Sequence, residues 1–138
     1  MFVLSFNTSI IGLYSIIKVS CLIQADHNSI DAEHKPRVAF VSIDIVPATV
    51  SQLATYMDFF NPQFIGLTTE PKQLDELFNS LGASYSIIQN DNGGVDMEHS
   101  SAIFLISPNK EYIASFPYML TAKQISDDYQ TIIASEHW

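Results

Sequence analysis

His99 is the side chain in this sequence best placed for ligand chemistry. It stands at the mouth of an apolar strand, where the polar residues 96–101 give way to residues 102–106. A neutral imidazole is a good metal ligand. The chain has one cysteine, Cys21, so no pair of thiolates can accompany this imidazole.

Cys21 can act in only a few ways. A lone cysteine excludes an intrachain disulfide and a Cys-x-x-Cys motif, which leaves a free thiol, a single ligand or an intermolecular bridge. Its plainer role is that of a small buried hydrophobe, and we assign it no metal. The other histidines, His27, His34 and His137, have no His-x-His or His-x-x-x-His spacing, so we expect them at the surface.

Asp44 follows an apolar run at residues 38–43. The carboxyl end of a sheet strand is where α/β folds place functional groups, but an aspartate there can equally order the turn before the next helix. The sequence contains no Gly-x-Ser-x-Gly, phosphate loop, dinucleotide fingerprint or His-Glu-x-x-His motif. We therefore predict that the protein is not an enzyme.

The composition indicates one folded domain. A chain of 138 residues buries roughly two-thirds of its unfolded surface on folding, which is enough for a core. The apolar fraction of 47% is that of a globular protein rather than a disordered one. A net charge of -9 would repel a phosphate backbone, so nucleic-acid binding is excluded.

Hydrophobic patterns predict the elements that must position these residues. Short apolar runs rich in β-branched residues are typical of buried strands, and apolar residues three and four apart are typical of amphipathic helices. We predict strands at residues 38–43, 64–68, 85–88, 101–106 and 111–116, and helices at residues 49–60, 71–81 and 121–135. The last two strands should pair as a hairpin, and a polar turn at residues 90–94 should continue as a loop to His99. This order indicates an α/β sandwich.

Four segments carry a family resemblance: residues 38–44 (VAFVSID), 59–68 (FFNPQFIGLT), 98–102 (EHSSA) and 112–117 (YIASFP). In order and spacing they resemble the Sco/SenC family of copper chaperones, which help to assemble the dinuclear copper centre of cytochrome oxidase. The resemblance implies a thioredoxin-like sandwich with an insertion. It implies that His99 is a copper ligand. It also implies a cytochrome oxidase subunit as partner, at the periplasmic face of a bacterial inner membrane.

The chain departs from the family at its metal ligands. The family binds copper with a Cys-x-x-x-Cys-Pro motif and the histidine, and the single Cys21 cannot complete that three-ligand site. Glu98 precedes His99 where the family more often has aspartate, and residues 45–48 replace a family loop that contains Arg-Asp. Thiol-disulfide chemistry is excluded because it needs the thiolate pair, and we expect copper binding to be weak or lost.

Residues 1–35 form an atypical apolar segment ahead of the family-like domain at residues 36–138. Residues 1–23 approach the ~20 residues that span a bilayer, so a membrane anchor is one reading; a signal peptide is disfavoured because no basic residue precedes Lys18. In a second reading, residues 1–6 replace the family's strand and residues 10–24 its helix. In a third, the copy is truncated or frame-altered upstream of Ala32.

We therefore expect an N-terminally truncated or altered thioredoxin-like domain, related to copper delivery for cytochrome oxidase but impaired or vestigial in copper binding. One alternative is a copper-independent interaction module that binds through residues 90–99 and the hairpin. The other is a non-functional copy, in which a missing central strand would leave sheet edges open to aggregation.

Overall fold

The computed structural model describes residues 2–7, 35–43, 49–89, 95–100 and 102–135. The predicted helix at residues 10–24, together with Cys21 and Asp44, lies outside the described residues. The elements are, in chain order, β1 (Phe2–Asn7), β2 (Arg37–Ser42), α1 (Thr49–Phe60), β3 (Ile65–Leu67), α2 (Pro71–Leu81), β4 (Tyr85–Gln89), β5 (Val95–His99), β6 (Ala102–Ile106), β7 (Tyr112–Pro117) and α3 (Ala122–Ala134). None of the helices in these ranges is long and apolar enough to cross a membrane.

Within the described residues, five strands form a mixed sheet in the order β3-β2-β1-β6-β7. β1, β2 and β3 run parallel, and β6 and β7 continue the sheet in antiparallel pairs. The centre is occupied by β1, so the strand that one reading placed at residues 1–6 is found at Phe2–Asn7. Residues 38–42 of β2 are all buried, as expected for a strand covered on both faces of a sheet.

Alternation along β2 and β6 divides the core between the two faces of the sheet. Val38 and Phe40 join a cluster with residues of α1 and α3. Val41 and Ile43, together with Phe104 of β6, join a second cluster with residues of α2. The sheet is therefore packed between α1 and α3 on one side and α2 on the other.

The helix ends follow the predicted signals. Pro71 lies at the start of α2, where a missing N–H costs no hydrogen bond. Gly82 ends the helix in the left-handed region at φ 63°, and its N–H donates to Asn79 O at 3.2 Å. Thr121 caps α3 in a reciprocal capping box with Gln124.

The predicted loop between residues 94 and 99 is wrong, because Val95–His99 forms β5. This strand pairs antiparallel with β4, from Gln89 opposite Val95 to Tyr85 opposite His99. Among the described residues, these two strands make a separate two-stranded sheet. Apolar Val95 and Met97 alternate with acidic residues, and that period of two was the available signal for a strand.

Candidate metal centre

His99 is the last residue of β5, three residues before β6 begins. β6 runs antiparallel to β1, with Ser5 opposite Ile103, so β6 starts at the edge of the sheet where β1 ends. β2 ends at this edge too, since Asn7 lies opposite Ser42. His99 therefore approaches the carboxyl edge of the parallel strands, which is the usual ligand-binding edge of an α/β sheet.

Two serines close the base of the β4–β5 hairpin next to His99. The Ser100 N–H donates to Ser84 O at 2.8 Å, and the Ser84 N–H donates to Ser100 Oγ at 3.0 Å. These paired bonds tie the residue before β4 to the residue after β5. The backbone is consequently held directly after His99.

The His99 imidazole is half-buried, and its Nδ1 lies 3.2 Å from Ser100 O. A carbonyl oxygen can only accept, so this contact is a hydrogen bond in the tautomer that has the proton on Nδ1. In that tautomer Nε2 carries the free lone pair, and a metal bound at Nδ1 would have to replace the contact. A backbone carbonyl that orients a histidine in this way is common around metal-ligating imidazoles.

Tyr85 lies directly opposite His99 in the hairpin. Its ring packs on Phe78 of α2, with ring centroids 4.8 Å apart, and its hydroxyl donates to Asp75 Oδ1 at 2.6 Å. That hydrogen bond raises the pKa of Tyr85, with further contributions from desolvation and from the Asp75 charge. This pair is not predictable from a single sequence, because no local signal joins Asp75 to Tyr85.

The donor set around His99 is small. Among the described residues, no three His, Cys, Asp or Glu side chains come together as a metal-binding group. Glu98 is exposed and, as the neighbour of His99 in a strand, points to the opposite face. Cys21, Asp44 and the other histidines lie outside the described residues. The described residues thus offer copper one imidazole, which does not match the thiolate-rich set that Cu(I) prefers.

Comparison with known proteins gives a family match. A family model described as SCO1/SenC matches residues 17–134. The mitochondrial SCO2 homolog of Bos taurus is 29% identical over 97 residues, covering 70% of this chain and 36% of that protein. An SCO2-like protein of Rickettsia prowazekii is 28% identical over 106 residues, covering 72% of this chain and 52% of the relative. The chain therefore spans between about a third and a half of these relatives' length.

A crystal structure of Arabidopsis thaliana ScoI with copper bound superposes on this chain with a TM-score of 0.82 at 23% identity. The superposition covers 97% of this chain and 84% of ScoI. A likeness at this identity shows the fold. The predicted α/β, thioredoxin-like sandwich is therefore confirmed.

Proposed function

The chain belongs to the SCO1/SenC family, and from this premise we propose that it is a copper-binding protein related to copper delivery for cytochrome c oxidase assembly. Copper is the cargo, and His99 is its ligand in this chain. The observation that carries the proposal is the placement of a half-buried imidazole beside the carboxyl edge of β1 and β2. The partner is a cytochrome oxidase subunit, met at the periplasmic face of a bacterial inner membrane.

The proposed copper function is impaired or vestigial. The family's three-ligand site needs two cysteines, and this chain has only Cys21. Removing both thiolates from the set leaves an imidazole, which is a weaker and less selective ligand for Cu(I) than a thiolate pair. We therefore expect weak binding and rapid release of copper, rather than the tight capture that directed delivery needs.

The protein's own contribution at this site is orientation. The Ser84–Ser100 bonds hold the backbone at the base of the hairpin, directly after His99, and Ser100 O accepts from Nδ1 of His99 in the tautomer described above. Orientation of this kind lowers the entropy that the imidazole loses when it ligates a metal. It cannot replace missing ligands, so weak affinity remains the expectation.

A Cu(I) competition titration against a chromogenic chelator tests the proposal. The proteins compared are the full chain, His99→Ala, Cys21→Ala and, as a matched control, His137→Ala. We expect weak one-to-one binding that disappears in His99→Ala and is unchanged in His137→Ala. Binding that survives His99→Ala would refute the role of His99, and binding that weakens in Cys21→Ala would reveal a second, thiolate ligand.

A second candidate is a copper-independent interaction module. The β4–β5 hairpin forms its own sheet outside the main one, and Ile88 on it is 41% exposed. An exposed apolar side chain such as Ile88 can contribute to a protein contact. Binding of the chain to a copper-free oxidase subunit, lost in Ile88→Ser and kept in His99→Ala, would favour this candidate over the first.

A further inference from the structure

The Tyr85–His99 pair is the cross-strand pair at the base of the hairpin. Residues directly opposite each other in antiparallel strands project their side chains to the same face, with Cβ atoms about 4.5–5.5 Å apart. His99 therefore shares its face with Tyr85. The next pair, Ser86 and Glu98, projects to the opposite face and is exposed.

Tyr85 is fixed to the body of the protein at two points. Its ring contacts Phe78, which is 2% exposed and belongs to the core cluster under α2. Its hydroxyl donates to the Asp75 carboxylate, which lies one turn earlier on the same helix. An O–H···O⁻ bond of 2.6 Å is short and charge-assisted, so it fixes the hydroxyl more firmly than a neutral bond would.

We propose that Tyr85 is a positioning residue for His99 and that Asp75 holds Tyr85 in place. This inference deepens the function proposed above and rests on His99 as the copper ligand. The core under α2 fixes the Tyr85 ring, and the ring limits the rotamers open to the imidazole opposite it. The hydrogen bonds between Ser84 and Ser100 fix the backbone next to His99. Tyr85 then limits the orientation of the His99 imidazole.

A purely structural role for Tyr85, as an anchor for the hairpin, would leave the imidazole unaffected once the hairpin is intact. Two readouts separate the roles: the ¹H–¹⁵N spectrum of the His99 imidazole in the copper-free protein at fixed pH, and Cu(I) affinity by competition. The variants are Tyr85→Phe, which keeps the ring and removes the hydroxyl, and Asp75→Asn, which keeps an oxygen acceptor without the charge. Asp127→Asn is the matched control, since Asp127 pairs with Lys123 on the exposed surface of α3.

We expect Tyr85→Phe to shift and broaden the His99 imidazole signals and to weaken Cu(I) binding about tenfold, the lower end of the range for residues that support a metal ligand. Asp75→Asn should give a smaller change in the same direction, and Asp127→Asn none. An unchanged His99 spectrum in both Tyr85→Phe and Asp75→Asn overturns the positioning role. Asp75→Asn decides the matter alone if Tyr85→Phe does not fold.

The imidazole spectrum judges the positioning role without reference to copper. The effect of His99→Ala on Cu(I) affinity judges the proposed function without reference to Tyr85. Suppose that the His99 spectrum changes in Tyr85→Phe but the Cu(I) affinity is the same in His99→Ala as in the unmodified protein. These two results together would support positioning and refute the copper role. The opposite pair of results would refute positioning and support the copper role.

Discussion

Leu74→Ala tests whether α2 is the support on which the His99 region rests. Leu74 lies one turn before Phe78 on α2 and is 0% exposed. It packs in the cluster that contains Val41, Ile43 and Phe104 of the sheet region. The substitution removes three carbons from this cluster, against which Tyr85 also packs, and leaves the Tyr85 and Asp75 side chains themselves unchanged.

The expected loss follows from burial. A fully buried Leu→Ala change costs about 2.7–5 kcal/mol, and the value depends on how far the surroundings collapse into the cavity. Leu74 is bounded by both the sheet and its own helix, so collapse is limited and we expect a cost in the upper half of this range, about 4 kcal/mol. For a chain of this length, this corresponds to a fall of about 14 °C in Tm.

The assay is urea unfolding followed by far-UV circular dichroism, with Leu77→Ala as the matched control. Leu77 lies on the same helix but is only partly buried against the cluster, so we expect a loss of about 1 kcal/mol. Both variants remove the same atoms and have the same helix propensity. Equal losses in the two variants would refute the packing of α2 against this face of the sheet.

Three further predictions concern pH and the helix ends. Burial raises the pKa of Tyr129 from 10.0 to about 12; the folded state then keeps a proton that the unfolded state loses, so stability should fall between pH 10 and about 12, by on the order of 2 kcal/mol. Urea unfolding across that range should show a shallower decline in Tyr129→Phe, and an identical decline would contradict the assignment. Gly82→Ala should lower the unfolding free energy by about 1 kcal/mol because φ is 63°, a conformation that alanine rarely adopts; a new Cβ would meet nothing within 4 Å, so no clash adds to this loss. Gly82→Asn should lose less, and a stabilising alanine would be the contrary result. Thr121→Ala should cost about 1 kcal/mol in unfolding free energy by removing the cap of α3, and no change would mean that the cap is redundant.

Local patterns predicted the elements of this fold well where burial and end signals coincide. Residues 38–43 are apolar because β2 is covered on both faces, so the run itself identifies a buried strand. Pro71 and Gly82 mark the two ends of α2. Proline lacks an N–H that the first turn does not use, and glycine adopts the left-handed conformation that ends the helix. The strand order was not predictable from patterns, since pairing of β1 between β2 and β6 depends on contacts far apart in sequence.

The candidate site was predicted only in part. The sequence identifies His99 but predicts a loop where β5 lies, since Asp96 and Glu98 give this strand a polar composition. A strand in a two-stranded sheet needs no continuous apolar run, so the alternation of Val95 and Met97 with acidic residues is a better signal here than the polar composition. The Asp75–Tyr85 bond joins a helix to a hairpin, and no local pattern encodes such a contact.

The most direct test of the central claim, that His99 is the copper ligand, is a Cu(I) titration of protein carrying ¹⁵N-labelled histidine. The chain has four histidines, so each imidazole can be assigned by single substitution and followed separately. We expect the His99 signals to shift first and to saturate near one equivalent of copper, while those of His27, His34 and His137 stay in place. A shift that begins at another histidine, or no shift at His99 at any copper concentration, would contradict it.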